Sequence, residues 1–342
     1  MFARSYHHSD SLITKQNGGL IINKFLTIIP NEQETLIIGP LPPPIGGVSI
    51  FLQRLKSVHS CCTYYDLKNM DIFNYFELIK ELRSKKYKLI FVNAVTLKLV
   101  ILTTIFFKGK IIFVEHNNRI KDKGTLWIAI YKYILRRHIN LWVVSQSIKE
   151  SYEELEIKPK NEIIEVQSAY LPPCTRDYEL KFNSFSSDVK TFIKSPTICV
   201  SAYKIIFTKG RDLYGIDTSV RLLNELNQKG HNLQLLLVIP DLDEEGASYI
   251  DDQIANNSLN KSKVLVLNKP VELWPLFRHL ALFVRPTISD GFGVSVAEAV
   301  DEGCPTIASN VCYRYEGCIT YDVDDFDDLM QKCCSVIGRD KK

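Results

Sequence analysis

Short, almost wholly apolar runs alternate with amphipathic stretches along nearly the entire chain, and this alternation constrains the fold more than any other feature. Leu233–Ile239 reads LQLLLVI, with little of the polar alternation of a half-exposed strand. Such runs suit strands covered on both faces, as in a parallel sheet flanked by helices. In the first half the expected strands are Thr35–Pro40, Lys88–Asn93, Ile111–His116, Asn140–Ser145 and Glu162–Ser168. Helical patterns lie between them, near Val48–Val58, Phe73–Leu82, Thr96–Phe107, Leu126–Arg137 and Ser147–Leu155. The second half repeats the scheme with strands Thr197–Ala202, Leu233–Ile239, Val264–Leu267, Leu282–Pro286 and Thr306–Ser309. Its helices are expected near Asp217–Asn227, Ser248–Ala255, Val271–His279, Val294–Asp301 and Phe326–Val336. Repeated βα units imply right-handed crossovers and a doubly wound, Rossmann-like sheet in each half.

Two α/β domains also suit 342 residues, because one core rarely grows beyond about 250–300. The seam is expected in Tyr170–Ser195, where Pro172-Pro173 runs into charged, Ser-rich sequence. The expected division is an N-terminal extension 1–34, a domain 35–180 and a domain 181–342. Within the extension, Leu20–Leu26 is a candidate edge strand.

Charge separates the halves. Residues 1–190 hold 26 Lys and Arg against 18 Asp and Glu, whereas residues 191–342 hold 16 against 21. The nine cysteines include no C-x-x-C pair, and Cys61-Cys62 and Cys333-Cys334 are vicinal, which suits reduced thiols. The first twenty residues lack an apolar secretory core. The longest apolar stretches, Leu99–Phe107 and Leu235–Pro240, fall far short of the roughly 20 residues of a spanning helix. A cytoplasmic protein with no integral membrane segment is expected.

In doubly wound sheets, ligands bind where strands run into loops at their carboxyl ends. Four such loops carry chemistry-bearing residues. Gly39-Pro-Leu-Pro-Pro-Pro-Ile-Gly46-Gly47 precedes a helix, so it is either an anion-contacting turn or a tight, proline-rich connection. His116 ends the run Val114-Glu115-His116-Asn117-Asn118, and either contacts a ligand or faces solvent. Ser201–Arg211 gathers Lys204, Lys209 and Arg211, a set that suits a diphosphate or a solvated loop. Arg285–Ala299 runs from a strand through Asp290-Gly291-Phe292-Gly293 into a helix bearing Glu298. Main-chain N–H groups at that helix start can hold a phosphate or sugar oxygen. The alternative is a capped helix with a glutamate on its face. The acidic runs Asp241–Glu245 and Asp322–Asp328 are read as helix starts rather than metal sites.

Together these loops resemble the retaining glycosyltransferases of family 4 (group 1 type), which have the GT-B architecture of two Rossmann-like domains facing across a cleft. The resemblance covers about residues 35–335 and is strongest over Leu282–Asn310. The family's Glu-x7-Glu signature is here Asp290-x7-Glu298, followed by EAVDEGCPTIAS. The stretch Asp212-Leu-Tyr-Gly-Ile-Asp217 resembles a subgroup that builds bacterial surface polysaccharides such as O-antigen or capsule. The resemblance implies that Glu298 bonds the ribose hydroxyls of a nucleotide-diphosphate sugar. It implies that Asp290, with the backbone of Gly291, Phe292, Gly293 and Val294, holds the donor sugar. Lys209 would neutralise the diphosphate, Gly46 and Gly47 would approach it, and His116 would sit beside the sugar. No metal and no resident cofactor are implied. Two departures stand out: the first signature acid is Asp, and Tyr203, followed by Lys204, occupies a donor-loop position where the family usually has Arg. Lys204 or Arg211 is the expected replacement for that charge. A sugar-nucleotide epimerase or a catalytically degenerate GT-B binding protein would share the fold.

Residues 80–137 hold 14 Lys and Arg against 3 Asp and Glu. Within Thr125–Trp142, Trp127, Tyr131, Tyr133 and Trp142 interleave with Lys132, Arg136 and Arg137. The pattern suits an anionic membrane surface, or an ordinary helix with snorkelling cations. No nucleic-acid motif accompanies it. The resemblance implies a lipid-linked saccharide acceptor and a peripheral location on the inner face of the cytoplasmic membrane.

Overall fold

The computed structural model describes residues 13–16, 19–22, 29, 31–43, 46–68, 71–118, 120–160, 163–173 and 177–338, without the side chains of 13–16, 19–22 and 137–139. The chain divides into two compact units, Met1–Cys174 and Thr175–Lys342.

The N-terminal unit begins with an antiparallel pair, β1 (Ile13–Gln16) and β2 (Gly19–Ile22). It continues through β3 (Thr35–Gly39), α1 (Gly47–Val58), β4 (Thr63–Asp66), α2 (Ile72–Arg83), β5 (Leu89–Val92) and α3 (Leu97–Phe106). Then follow β6 (Lys110–Glu115), α4 (Thr125–His138), β7 (Ile139–Val143), α5 (Gln146–Glu154) and β8 (Ile164–Val166). Strands β3 to β8 form one parallel sheet in the order β4-β3-β5-β6-β7-β8. The direction in which successive strands are added to the sheet reverses between β3 and β5. β2 pairs only with β1, so the described part of Leu20–Leu26 forms a hairpin and not the edge strand expected of it. Asn17-Gly18 between the two strands is the strongest short sequence signal for such a hairpin.

The C-terminal unit opens with two short helices, α6 (Tyr178–Asn183) and α7 (Ser187–Phe192), capped by the Asp177 and Ser186 side chains. Then come β9 (Thr197–Ser201), β10 (Phe207–Thr208), β11 (Arg211–Asp212), α8 (Ile216–Gln228), β12 (Gln234–Val238), α9 (Glu244–Asn256) and β13 (Val264–Leu267). The unit ends with α10 (Trp274–Phe277), β14 (Leu282–Arg285), α11 (Val294–Asp301), β15 (Thr306–Ser309), β16 (Ile319–Tyr321) and α12 (Phe326–Ile337). Its six-stranded sheet is parallel in the order β13-β12-β9-β14-β15-β16. Strands one and four of that sheet, β9 and β14, are neighbours, which is the Rossmann order with its switch point between them.

Burial explains why the long apolar runs were legible. Leu235, Leu236 and Leu237 are fully buried and alternate between two cores, one on each sheet face. One core gathers Leu235 and Leu237 with Val220, Leu223, Ile250 and Leu329 of α8, α9 and α12. The other gathers Leu236 with Val189, Trp274, Phe277 and Val296 from α7, α10 and α11. The acidic runs start helices: Asp243 accepts from the Gly246 N–H to cap α9, and Asp325 from the Asp328 N–H to cap α12.

Candidate active site

At the switch point of the C-terminal sheet, the loops after β9 and β14 lie side by side because their strands are paired. β14 ends in Arg285, whose Nη1 donates to the Ser201 carbonyl at the end of β9, at 2.7 Å. Its Nε donates to Asp290 Oδ2 at 3.2 Å, and its guanidinium lies 5.1 Å from the Tyr214 ring centroid. Arg314, in the loop after β15, donates from Nη1 to the same Asp290 Oδ2 at 2.9 Å. Its Nε and Nη2 bond the Ser309 carbonyl and hydroxyl. A buried and a half-buried cation therefore share one carboxylate, whose other oxygen accepts from the Gly291 N–H at 3.1 Å. Burial alone would raise the Asp290 pKa, but Arg285 and Arg314 outweigh it and hold the carboxyl below its ordinary range.

This cluster also fixes the glycine beside it. Gly293 caps α11 with φ of 78°, and an added Cβ would stand 2.7 Å from Arg314 Nη1. A side chain is thus excluded both by backbone strain and by space. The first N–H groups of α11 lack intrahelical acceptors, as at every helix start, so they favour an anion. Phe292 is buried under the loop, and Glu298 is buried about one turn into α11.

Lys209 and Gly210 form the tip of the β10–β11 hairpin, with φ of 52° and 75°. Both are exposed, while Tyr203 and Lys204 are half-buried in the loop before it. Burial and the neighbouring Asp241 raise the Tyr203 phenol pKa, so it is neutral where the family's position is cationic. Arg211 is bonded to Asp324 at the rim of a hollow of about 540 Å³ lined by the hairpin, by α8, α9 and α12, and by Pro286 and Ile288 of the β14 loop. Its guanidinium is therefore already paired with a carboxylate.

The N-terminal switch point is built differently. Gly39 ends β3 so close to α1 that a Cβ there would meet Leu52 Cδ1 at 2.5 Å. Gly46 caps α1 in extended conformation, its N–H donating to Ser49 Oγ at 2.8 Å, and Gly47 opens the helix. Gly46 has open space around it, the nearest atom to an added Cβ being Ser49 Oγ at 3.9 Å. His116 is buried, not solvent-facing, with its ring 5.4 Å from Phe51 and Nε2 3.1 Å from Asn93 Oδ1. Burial pushes its pKa down to about 3, so the ring is neutral at pH 7. Asn93 Nδ2 is buried without a partner among the described residues. Next to His116, burial lifts Glu115 to about 7, against hydrogen bonds from the Asn117 N–H and the Tyr152 hydroxyl.

The basic stretch divides between core and surface. Tyr131 and Trp142 are fully buried, Trp142 on β7 where a strand was expected, so these two leave the expected aromatic surface. Trp127 is half-buried against Tyr131, Lys132 is half-buried, and Tyr133 and Arg136 are exposed. The side chain of Arg137 lies outside the described residues. α2, α3 and α4 are packed as successive neighbours. They expose Ile72, Phe73 and Phe76 of α2, Ile105 of α3 and Leu126 of α4, apolar groups that the basic-aromatic pattern did not single out. No helix among the described residues is long and apolar enough to cross a membrane.

The sequence of residues 190–322 matches the family model described as "Glycosyl transferases group 1". The matched stretch lies within the C-terminal unit. Among solved structures, the chain is similar to a glycosyltransferase from Rickettsia africae ESF-5, at 14% identity over 90% of each chain and a TM-score of 0.64. It is also similar to Anabaena Alr3699/HepE in complex with UDP-glucose, at 12% identity over 90% of each chain and a TM-score of 0.66. A sucrose-phosphate synthase from Thermosynechococcus elongatus shares 16% identity over 89% of this chain and 90% of its own, with a TM-score of 0.62. These likenesses establish the GT-B architecture of two Rossmann-like units. No curated protein matches the sequence at a significant level.

Of the site residues expected in this unit, Asp290, Gly291, Phe292, Gly293, Val294 and Glu298 fall in one loop and helix start, beside the loop of Tyr203 and Lys204. Two groups were missed. Asn93 sits at the carboxyl end of a switch-point strand, a place the strand pattern already marked. Arg314 lies 24 residues beyond Asp290, and no motif pointed to it.

Proposed function

We propose that the protein is a retaining glycosyltransferase that moves a hexose-type sugar from a nucleoside-diphosphate donor onto a lipid-linked saccharide, in the assembly of a bacterial surface polysaccharide. The observation that carries the reading is the Arg285–Val294 loop and α11, at the switch point of a group 1 glycosyl transferase domain. In the transfer, the bond from the anomeric carbon to the diphosphate oxygen breaks, the bond to the acceptor oxygen forms on the same face, and the acceptor's hydroxyl proton passes to the departing phosphate oxygen. The diphosphate leaves with the bonding electron pair, so the protein must stabilise charge growing on phosphate. The start of α11, with Lys204 before β10 and Lys209 at the tip of the β10–β11 hairpin, does this, which requires no divalent ion. A single preorganised contact of this kind contributes about 3–4 kcal/mol to the rate.

Glu298 bonds the ribose hydroxyls, and the Gly291–Val294 backbone with the remaining acceptor site on Asp290 holds the donor sugar. Lys209, with Lys204 in support, faces the diphosphate. Gly46, Gly47 and neutral His116 are the groups that the N-terminal unit offers, His116 as a hydrogen-bonding partner and not a cation. The fold does not select the acceptor, since it is shared with a sucrose-phosphate synthase. The acceptor half of the proposal rests on α2–α4, which expose Ile105 and Leu126 within the basic stretch 80–137 and Phe73 and Phe76 just before it. Exposed apolar groups beside a stretch of sequence rich in Lys and Arg suit insertion into an anionic leaflet. Sedimentation with anionic but not neutral liposomes, reversed by salt, is the expected result; binding blind to both would remove the membrane from the proposal.

The testing experiment is a thermal-shift panel of UDP-, GDP- and dTDP-sugars in EDTA, on wild type and Glu298→Ala. A ligand at 100 times its Kd adds about 2.7 kcal/mol to the native state. One nucleotide class is expected to raise Tm without metal, and the variant to lose the shift. No shift with any donor would overturn the reading.

A further inference from the structure

We infer that Arg285 is the diphosphate-binding cation of this enzyme, taking over the charge that Tyr203 lacks, and that Asp290 and Arg314 are its positioning residues. The inference rests on the donor reading above and adds to it a residue that no motif assigns.

Four observations converge. First, Arg285 ends β14 and bonds the carbonyl that ends β9, so it bridges the two strands between which a Rossmann sheet takes its ligand. Second, the local charge does not cancel. Arg285 and Arg314 share the single carboxylate of Asp290, which leaves this trio at +1. Third, the two arginines are not equivalent. Arg314 is 2% exposed and directs three N–H donors to Ser309 and Asp290, as an internal strut does. Arg285 is 13% exposed and bonds only through Nε and one Nη1 proton among the described residues. A guanidinium carries five N–H donors, so three are left for a ligand. Fourth, the Tyr214 ring and Asp290 hold the fork in place, so little side-chain freedom is lost when an anion binds.

The competing cations are less well placed. Arg211 is bonded to Asp324, and Lys209 stands on an exposed hairpin tip. The shorter Asp at position 290, where the family's signature has Glu, then has a physical meaning. One Asp290 oxygen accepts from both arginines and the other from the Gly291 N–H. The first acid of the signature thus orients a cation, with one acceptor site left over.

The test is calorimetric titration of UDP, GDP, ADP and dTDP, each beside its uncharged nucleoside, into wild type, Arg285→Gln and Arg285→Lys. The ratio of diphosphate to nucleoside affinity is the readout, because a merely structural role would lower both together. Arg285→Gln leaves Asp290 paired with Arg314 and keeps a donor for Ser201, which guards the fold. For the nucleotide that wild type prefers, Arg285→Gln is expected to lower that ratio about 10- to 100-fold, with Arg285→Lys in between. An unchanged ratio, or equal loss of diphosphate and nucleoside, overturns the assignment while leaving the donor reading intact. A wild type that does not favour any diphosphate over its nucleoside overturns both.

Discussion

The two switch points of this molecule sit at equivalent places in two parallel sheets and are built from opposite materials. In the N-terminal unit, glycines, Asn93 and a neutral His116 meet where β3, β5 and β6 end. In the C-terminal unit, Arg285, Arg314 and Asp290 meet where β9 and β14 end, with Lys204 in the adjoining loop. Net charge runs the other way, since residues 1–190 are the basic part and 191–342 the acidic part. The comparison teaches that the charge of a half describes its outer surface, while a site's charge is set by the few side chains its strand ends bring together. In the N-terminal unit the excess cations lie largely within 80–137, whereas the residues gathered at the strand ends are Gly39, Asn93 and a neutral His116.

The largest expected difference between the two switch points is in stability. Asp290→Ala would leave two largely buried guanidiniums without their shared carboxylate, and removing one partner of a buried pair costs about 3–5 kcal/mol. Asn93→Ala removes one neutral hydrogen bond to His116 but also an amide nitrogen that already lacks a partner, so about 1 kcal/mol is expected. Urea unfolding of the two variants measures the contrast, and equal losses would show that the difference in materials has no energetic consequence.

A pH titration sharpens the N-terminal side. Burial raises Glu115 from an ordinary value near 4.5 to about 7, so the folded state binds its proton more tightly than the unfolded state. The resulting stabilisation, about 3 kcal/mol, is full below pH 4.5 and is lost as pH rises to 7. His116 has the opposite sign: its pKa falls from 6.5 to about 3, so stability is lost as pH falls below 6.5. Between pH 4.5 and 6.5 the two slopes oppose each other, and wild-type stability is expected to vary little from this pair. Glu115→Gln removes one slope and should expose a loss of about 1.4 kcal/mol per pH unit on acidification. A flat profile in that variant would mean that His116 is not buried as a neutral ring.

The sequence disclosed these places unequally, for physical reasons. β12 and β14 are buried on both faces, so their composition alone reveals them. β4 and β16 are edge strands with half-buried or exposed positions such as Tyr64 and Thr320, and they carry no apolar run. α6 and α7 are six residues each, too short for a 3.6-residue period to register. The Asp290–Glu298 loop was legible because a turn, a helix start and its acids are local in sequence. Arg314 was not, because its only tie to the site is a bond reaching 24 residues back. His116 was placed correctly at a strand end but not in depth, since Phe51 and Asn93 cover it from other elements.

The smallest expected effect bears on whether the C-terminal charge extends beyond Arg285. Lys209 occupies the left-handed region at the tip of a two-residue hairpin turn, where a side chain costs about 1–2 kcal/mol that glycine avoids. Lys209→Gly should therefore leave stability unchanged or raise it by up to about 1 kcal/mol, once glycine's own entropy is counted. Lys209→Ala keeps the strain and should be neutral. A backbone held in a costly conformation by a lysine, where the neighbouring turn residue is already glycine, suggests that the ammonium group is kept for its charge. Both variants should then lose turnover in a donor-transfer assay without losing urea resistance. If turnover survives in both, Lys209 is a solvated turn residue, and the phosphate charge of the C-terminal switch point rests on the strand-end arginine.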